Sequence, residues 1–162
     1  MPRPVVSVIM GSQSDLEIVK ETLDVLGDFK IAFEAKVLSA HRTPRELASY
    51  VESCPKKGIK VFIAAAGGAA ALAGVVAAHS ILPVIGIPIE TKSFKGLDSL
   101  LSTVQMPAGI PVAAMAIGKP GAKNAALLAA EIIATNDKRI AAKLAAYRKA
   151  SRAKIKKIRI KI

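Results

Sequence analysis

Tryptophan is absent, aromatic residues make up only 4% of the chain, and 162 residues include a single cysteine. A core without large rings must be built from Ala, Val, Ile and Leu, a composition that suits close packing of helices on a sheet. One thiol excludes an internal disulfide, no signal peptide opens the chain, and the expected setting is the cytoplasm. The chain also lacks a Walker loop, a Gly-x-Gly-x-x-Gly fingerprint and a Cys/His cluster at metal-ligand spacing. These absences argue against a P-loop nucleotidase, a dinucleotide enzyme and a zinc site, so neither metal nor cofactor is expected.

Two further absences concern charge. Residues 138–162 carry 11 Lys and Arg and no acid, which leaves 13 basic and 12 acidic residues in 1–137. The net charge of +12 therefore belongs to a tail, while the body is almost neutral. With one aromatic, Tyr147, and no nucleic-acid module in that tail, nucleic acid is not the expected partner. Residues 61–89 carry no charge of either sign. That is long enough to raise a membrane span, but Gly67-Gly68, Gly74, His79, Ser80, Pro83 and Gly86 interrupt it, and no membrane partner is expected.

What is present is an apolar fraction of 52%, in a chain long enough to bury roughly 70% of its unfolded surface as one domain. Val5 to Met10 is a β-branched run that ends in Gly11-Ser12-Gln13-Ser14-Asp15. Leu16, Val19, Leu23 and Leu26 then recur at helical spacing, with Ser14 and Glu17 as a capping box. Ile31 to Leu38 reads as a second strand, and Leu47, Tyr50, Val51 and Cys54 mark the inner stripe of a second helix. Cys54 is thus read as a packing residue. Strands over Val61–Ala66, Val84–Ile89 and Val112–Ile117 alternate with helices over Leu72–Ala78, Ala122–Ala134 and from Asp137 onward. The pattern predicts an α/β fold, a three-layer αβα sandwich on a five-stranded parallel sheet with a C-terminal helix.

The most informative segment is Ser39-Ala40-His41-Arg42-Thr43-Pro44. Thr43 reads as an N-cap, Pro44 as the first helical residue and Glu46 as the capping-box acid, which puts His41 and Arg42 in the turn before a helix. Such turns hold ligands in open α/β sheets, and here one side chain titrates near neutrality beside one that grips phosphate. The Gly11–Asp15 turn offers small hydroxyls and N–H groups suited to a phosphate, with Asp15 able to accept from sugar hydroxyls, or else simply caps its helix. Gly67-Gly68 would let a ligand approach the backbone closely, or permit tight packing. His79, on the apolar helix between the third and fourth strands, reads as a hydrogen-bonded packing residue.

Gly11-Ser12-x-Ser14-Asp15, Ser39-Ala40-His41-Arg42-Thr43-Pro44, Ala66-Gly67-Gly68-Ala69-Ala70, Gly96-Leu97-Asp98-Ser99-Leu100 and Val104-Gln105-Met106-Pro107 occur in that order. In them the chain resembles the N5-carboxyaminoimidazole ribonucleotide mutase (PurE) family of purine biosynthesis. The resemblance runs from about residue 4 to 150. It implies one catalytic domain over 1–150 with a basic extension over 151–162, a flavodoxin-like fold, a homo-octamer and no cofactor. It also implies a ribonucleotide substrate whose carboxyl group moves from nitrogen to carbon, giving 4-carboxy-5-aminoimidazole ribonucleotide. By position, His41 would be the general acid/base, and Ser12, Asp15 and Arg42 would bind the ribose phosphate. Gly11, Ser14, Ser39, Ala40, Gly67, Gly68, Ala69, Ala71 and Leu72 would complete the substrate site.

One departure stands out. The bacterial mutase pattern usually continues with His-Leu-Pro-Gly where this chain has Ala71-Leu72-Ala73-Gly74. The substitution leaves three readings: a mutase that works without that histidine, a carboxylase of the related branch that uses free carbon dioxide, or a copy with reduced activity. The carboxylase branch typically carries Gly-Arg-Ser-Asn at Gly67–Ala70 and Lys-Gly-Pro after its Ser-Ala-His, and both comparisons favour the mutase.

In the tail, Ile140, Leu144, Tyr147, Ser151, Ile155 and Ile158 recur at spacings of three and four, so 137–158 is predicted as one amphipathic helix. Ile158, Ile160 and Ile162 then alternate with Arg159 and Lys161, as in a frayed or strand-like end. Its charge is either a solvated face on a helix docked to the body or a neighbouring subunit, or an attraction to RNA or an acidic membrane.

Overall fold

Five strands form one sheet in a computed structural model that describes residues 3–160. Strands β1 (Val6–Met10), β2 (Phe33–Val37), β3 (Val61–Gly67), β4 (Val84–Ile89) and β5 (Ala113–Ala114) lie in the order β2-β1-β3-β4-β5. Every pairing is parallel, with Val6 opposite both Phe33 and Val61, and Ile85 opposite Ala113. This is the flavodoxin-like order, whose topological switch lies between β1 and β3. The helices are α1 (Leu16–Asp28), α2 (Pro44–Lys57), α3 (Leu72–Ala78), α4 (Leu97–Val104), α5 (Lys119–Ala134) and α6 (Lys138–Lys157).

Alternation along the strands divides the core in two. Val6, Val8, Met10, Ile63, Ala65, Ile85 and Ile87 face α1 and α5, where small Ala122, Ala125, Ala126 and Ala129 let α5 come close. Ile9, Phe62, Ala64 and Val84 face Leu47, Val51, Cys54, Leu72 and Val76 of α2 and α3. Cys54 is fully buried, and burial raises its thiol pKa, so it is a packing residue as the sequence predicts. Ser7, the polar residue on that inner face, bonds Tyr50 Oη at 2.6 Å, and Tyr50 donates to Glu34 at 2.7 Å. No helix among the described residues is long and apolar enough to cross a membrane.

Several local expectations change. The first cap is Ser12 with Asp15, not Ser14 with Glu17: Ser14 N–H donates to Ser12 Oγ and Ser12 N–H to Asp15 Oδ2 across a 3-10 turn. Thr43 holds the N-cap position before Pro44, but neither it nor Glu46 makes the predicted capping box. Ile31 lies in the turn that closes α1, where its N–H reaches back to Leu26 O at 2.9 Å, and β2 begins at Phe33. The fifth strand shrinks from six residues to Ala113–Ala114. Its neighbour β4 contains Pro88, which has no N–H to return to the ladder. His79 bonds Glu52 at 2.9 Å as expected, yet it stands exposed at the end of α3 rather than packed.

Helix α4 has no counterpart in the sequence reading because its pattern is inverted. Ser99 and Thr103 are buried against the sheet, while Leu97, Leu101 and Val104 face outward. The inner residues must be small, since a Cβ built on Gly86 of β4 would stand 2.3 Å from Thr103 Cγ2. The α6 helix matches the predicted 137–158 closely, and no strand follows it through Ile160. The predicted alternation beyond that, at Lys161 and Ile162, lies outside the described residues.

Candidate active site

The carboxyl ends of β1, β2 and β3 open onto one cleft of about 470 Å³. Gly11, Ser12, Ser14 and Asp15 line it from the first loop, Ser39, Ala40, His41 and Arg42 from the second, and Gly67, Ala69, Ala71 and Leu72 from the third. It sits at the switch between β1 and β3, where adjacent crossovers leave on opposite faces and their loops part. A larger hollow of about 980 Å³ lies at the amino ends of β4 and β5, around Ile81, Pro83 and Pro111. None of the motif residues lines it.

The second loop is closed by Thr43. Its Oγ1 accepts from Ser39 N–H at 2.8 Å and donates to Ser39 O at 3.1 Å, while Thr43 N–H also reaches that carbonyl at 3.0 Å. The hydroxyl that the sequence assigns to the helix cap is thus used to fold His41 and Arg42 back over the cleft. Arg42 N–H bonds Ser39 Oγ at 3.2 Å, and the Arg42 guanidinium donates to Gly11 O at 2.8 Å. One arginine therefore ties the second loop to the first, and with Arg42 Nε also donating to Ser39 Oγ at 3.4 Å, only the remaining guanidinium N–H groups are left for an anion. His41 is exposed and lines the same cleft.

Asp15 is buried, with Ser12 N–H on Oδ2 at 3.1 Å. Burial raises its pKa above the ordinary aspartate value; the Ser12 N–H, the Ser14 hydroxyl and Arg42 pull the other way without cancelling it. A folded-state pKa above the unfolded one means that the stability gained from the protonated acid is complete below the unfolded value. It is lost as pH rises through the raised folded value. Asp15→Asn, which fixes the uncharged form, should keep a Tm at neutral pH equal to or above that of the parent, with a flatter acid limb. A clear drop in Tm at neutral pH would contradict this account of Asp15.

The third loop is held from behind. Ser99 of α4 is fully buried; its Oγ accepts from Gly68 N–H at 2.9 Å and donates to Ile89 O at 2.6 Å. A single hydroxyl thus joins the Gly67-Gly68 turn to the end of β4. Gly68 has φ +71 and directs its N–H to Ser99; it is the one predicted site residue that does not line the cleft. Ser99→Ala should lower stability by about 1–3 kcal/mol, since both partners lose their bond inside the protein. It should also raise KM several-fold by loosening the loop, and an unchanged denaturation midpoint would dispose of the clamp.

Ala66 and Ala70, the ends of the Gly67-Gly68 motif, also line the cleft, together with Ile89 and Glu90, which no motif contains. Glu90 had a readable signal: it is the first charge after the uncharged run and follows directly on β4. Ser99 falls in the Gly96-Leu97-Asp98-Ser99-Leu100 motif, which marks the segment but gives no hint that its serine is buried.

Residues 5–154 match the family described as AIR carboxylase. A Pyrococcus abyssi protein named N5-carboxyaminoimidazole ribonucleotide mutase is 56% identical over 145 residues, covering 90% of this chain and 82% of that protein. A Bacillus subtilis protein of the same name is 53% identical over 142 residues, covering 88% of each. Among solved structures, Treponema denticola PurE superposes with a TM-score of 0.86 at 33% identity, covering 94% of each chain.

Proposed function

Because the chain belongs to the AIR carboxylase family, we propose that it is an N5-carboxyaminoimidazole ribonucleotide mutase, an isomerase of purine biosynthesis, with His41 as its general acid/base. The observation that carries the proposal for the site is the convergence of the His41–Arg42 loop with the Gly11–Asp15 and Gly67–Leu72 turns on one cleft. The ribose phosphate is assigned to Arg42 and the Ser12 and Ser14 hydroxyls, and a sugar hydroxyl to Asp15. Gly11, Ser39, Ala40, Gly67, Ala69, Ala71 and Leu72 supply close walls, and Gly68 fixes the turn.

The chemistry is balanced and asks for little. Breaking the N–C bond of the carbamate, with one proton delivered to nitrogen, gives the amine and carbon dioxide. The electron-rich imidazole carbon then bonds to the carbon dioxide and releases one proton. A single group that donates the first proton and accepts the second finishes in its starting state, and a histidine near neutrality is suited to both steps. The small side chains around Gly67–Ala71 let the ring approach the backbone closely. Incubating the protein with the carbamate and following ultraviolet absorbance tests this reading, with aminoimidazole ribonucleotide plus bicarbonate as the comparison. Efficient use of bicarbonate with the carbamate ignored would transfer the chain to the carboxylase reading.

The assembly proposed is a homo-octamer in the cytoplasm. Support for assembly comes from α4, which turns Leu97, Leu101 and Val104 outward beside exposed Phe94, an apolar face that a second subunit would cover. Light scattering should give a mass about eight times that of one chain, and a stable, active monomer would contradict it.

A further inference from the structure

Helix α6 consists of two unlike halves. In the first, Ile140 and Leu144 are buried on the body, and Tyr147 packs on Phe29 with ring centres 5.9 Å apart. In the second, every residue from 148 to 160 is exposed, and that span carries seven Lys and Arg and no acid. Arg148 pairs with Glu131. Lys149, Arg152, Lys154, Lys156, Lys157 and Arg159 form no ion pair among the described residues.

The apolar stripe nevertheless continues past the body. Ser151, Ile155 and Ile158 extend the line of Ile140, Leu144 and Tyr147 at the same spacing, and Ile155, Ile158 and Ile160 are 69%, 61% and 85% exposed. The segment thus combines a narrow isoleucine line with cations on both flanks. A second copy offers no net charge to attract it, since residues 1–137 are nearly neutral. RNA would meet the cations but leave the isoleucines unused, and no aromatic follows Tyr147 to stack on bases. An anionic bilayer uses both features. Lys and Arg meet the headgroups while their stems lie along the boundary, and the isoleucines enter the edge of the acyl region.

We propose that residues 148–160 form a docking surface for an anionic lipid bilayer, on which the exposed half of α6 lies in the plane of the interface. The cations draw the chain to the surface, and the isoleucines make the contact more than electrostatic. Association should therefore weaken with salt without vanishing.

The test is co-sedimentation of the full chain with phosphatidylcholine vesicles, alone or with about 30 mol% phosphatidylserine, beside the double variant Ile155→Ser/Ile158→Ser. Binding only to the phosphatidylserine vesicles, reduced about tenfold or more in the double variant, is the expected result. Circular dichroism should show α6 retained and turnover should be unchanged, since no cleft residue lies in the segment. Failure of the parent chain to sediment with either vesicle overturns the proposal. So does equal binding of parent and variant, which would reduce the surface to bare charge. Salt-sensitive binding to polyuridine without vesicle binding assigns the segment to RNA. A lower assembly mass in the variant, again without vesicle binding, assigns it to a second copy.

Discussion

Replacing His41 with asparagine should lower turnover by about 10²- to 10⁴-fold, the usual range for losing a general acid/base, while leaving ribonucleotide affinity within a few-fold of the parent. The amide occupies similar space in the loop that Thr43 closes through Ser39, so the fold and the Arg42 bond to Gly11 should survive. What it cannot do is deliver a proton to nitrogen and recover one from carbon near pH 7. Binding measured by calorimetry and kcat measured by absorbance separate the two roles. Near-parent turnover would remove His41 from the chemistry, and a parallel loss of binding would make it a contact residue.

Arg42→Ala should produce the second large effect, a loss of at least tenfold in affinity for the phosphorylated substrate. Truncation removes a charge-assisted donor fork and also the 2.8 Å bond that ties the second loop to Gly11 O. The two contributions can be told apart with a dephosphorylated nucleoside, which keeps the loop effect and lacks the phosphate. Its affinity should fall much less. Equal losses for both ligands would show that Arg42 acts only as the tie between loops. Arg42→Lys keeps the charge but not the planar fork, and should recover only part of the lost affinity.

The alternation of strand and helix was legible because β1, β3 and β4 are buried on both faces and read as apolar runs, broken in β1 only by Ser7. The same physics hid other parts. Helix α4 buries Ser99 and Thr103 and exposes Leu97, Leu101 and Val104, so its hydrophobic pattern points the wrong way. Of the fifth strand only Ala113 and Ala114 pair as strand, because the ladder thins where Pro88 offers no N–H. In the cleft, His41, Arg42 and the two small-residue turns were readable because loops at the carboxyl edge must carry their own side chains into the site. Capping was not, since Thr43 and Ser12 each had several partners within reach and the chain alone does not choose between them. Thr43 turns to Ser39 and Ser12 to Ser14 and Asp15. The clamp at Ser99 depends on a residue 31 positions away, a distance no local pattern spans.

On this mechanism the carboxyl group moves within one cleft from nitrogen to carbon. A single-turnover reaction of carbamate labelled isotopically in its carboxyl carbon, run in excess unlabelled bicarbonate, tests it most directly. The account predicts that the product keeps nearly all of the label, as measured by mass spectrometry, because carbon dioxide is held beside the ring between cleavage and capture. A product carrying mostly unlabelled carboxyl would contradict it, since the carbon dioxide would then come from solution and the chain would be a carboxylase.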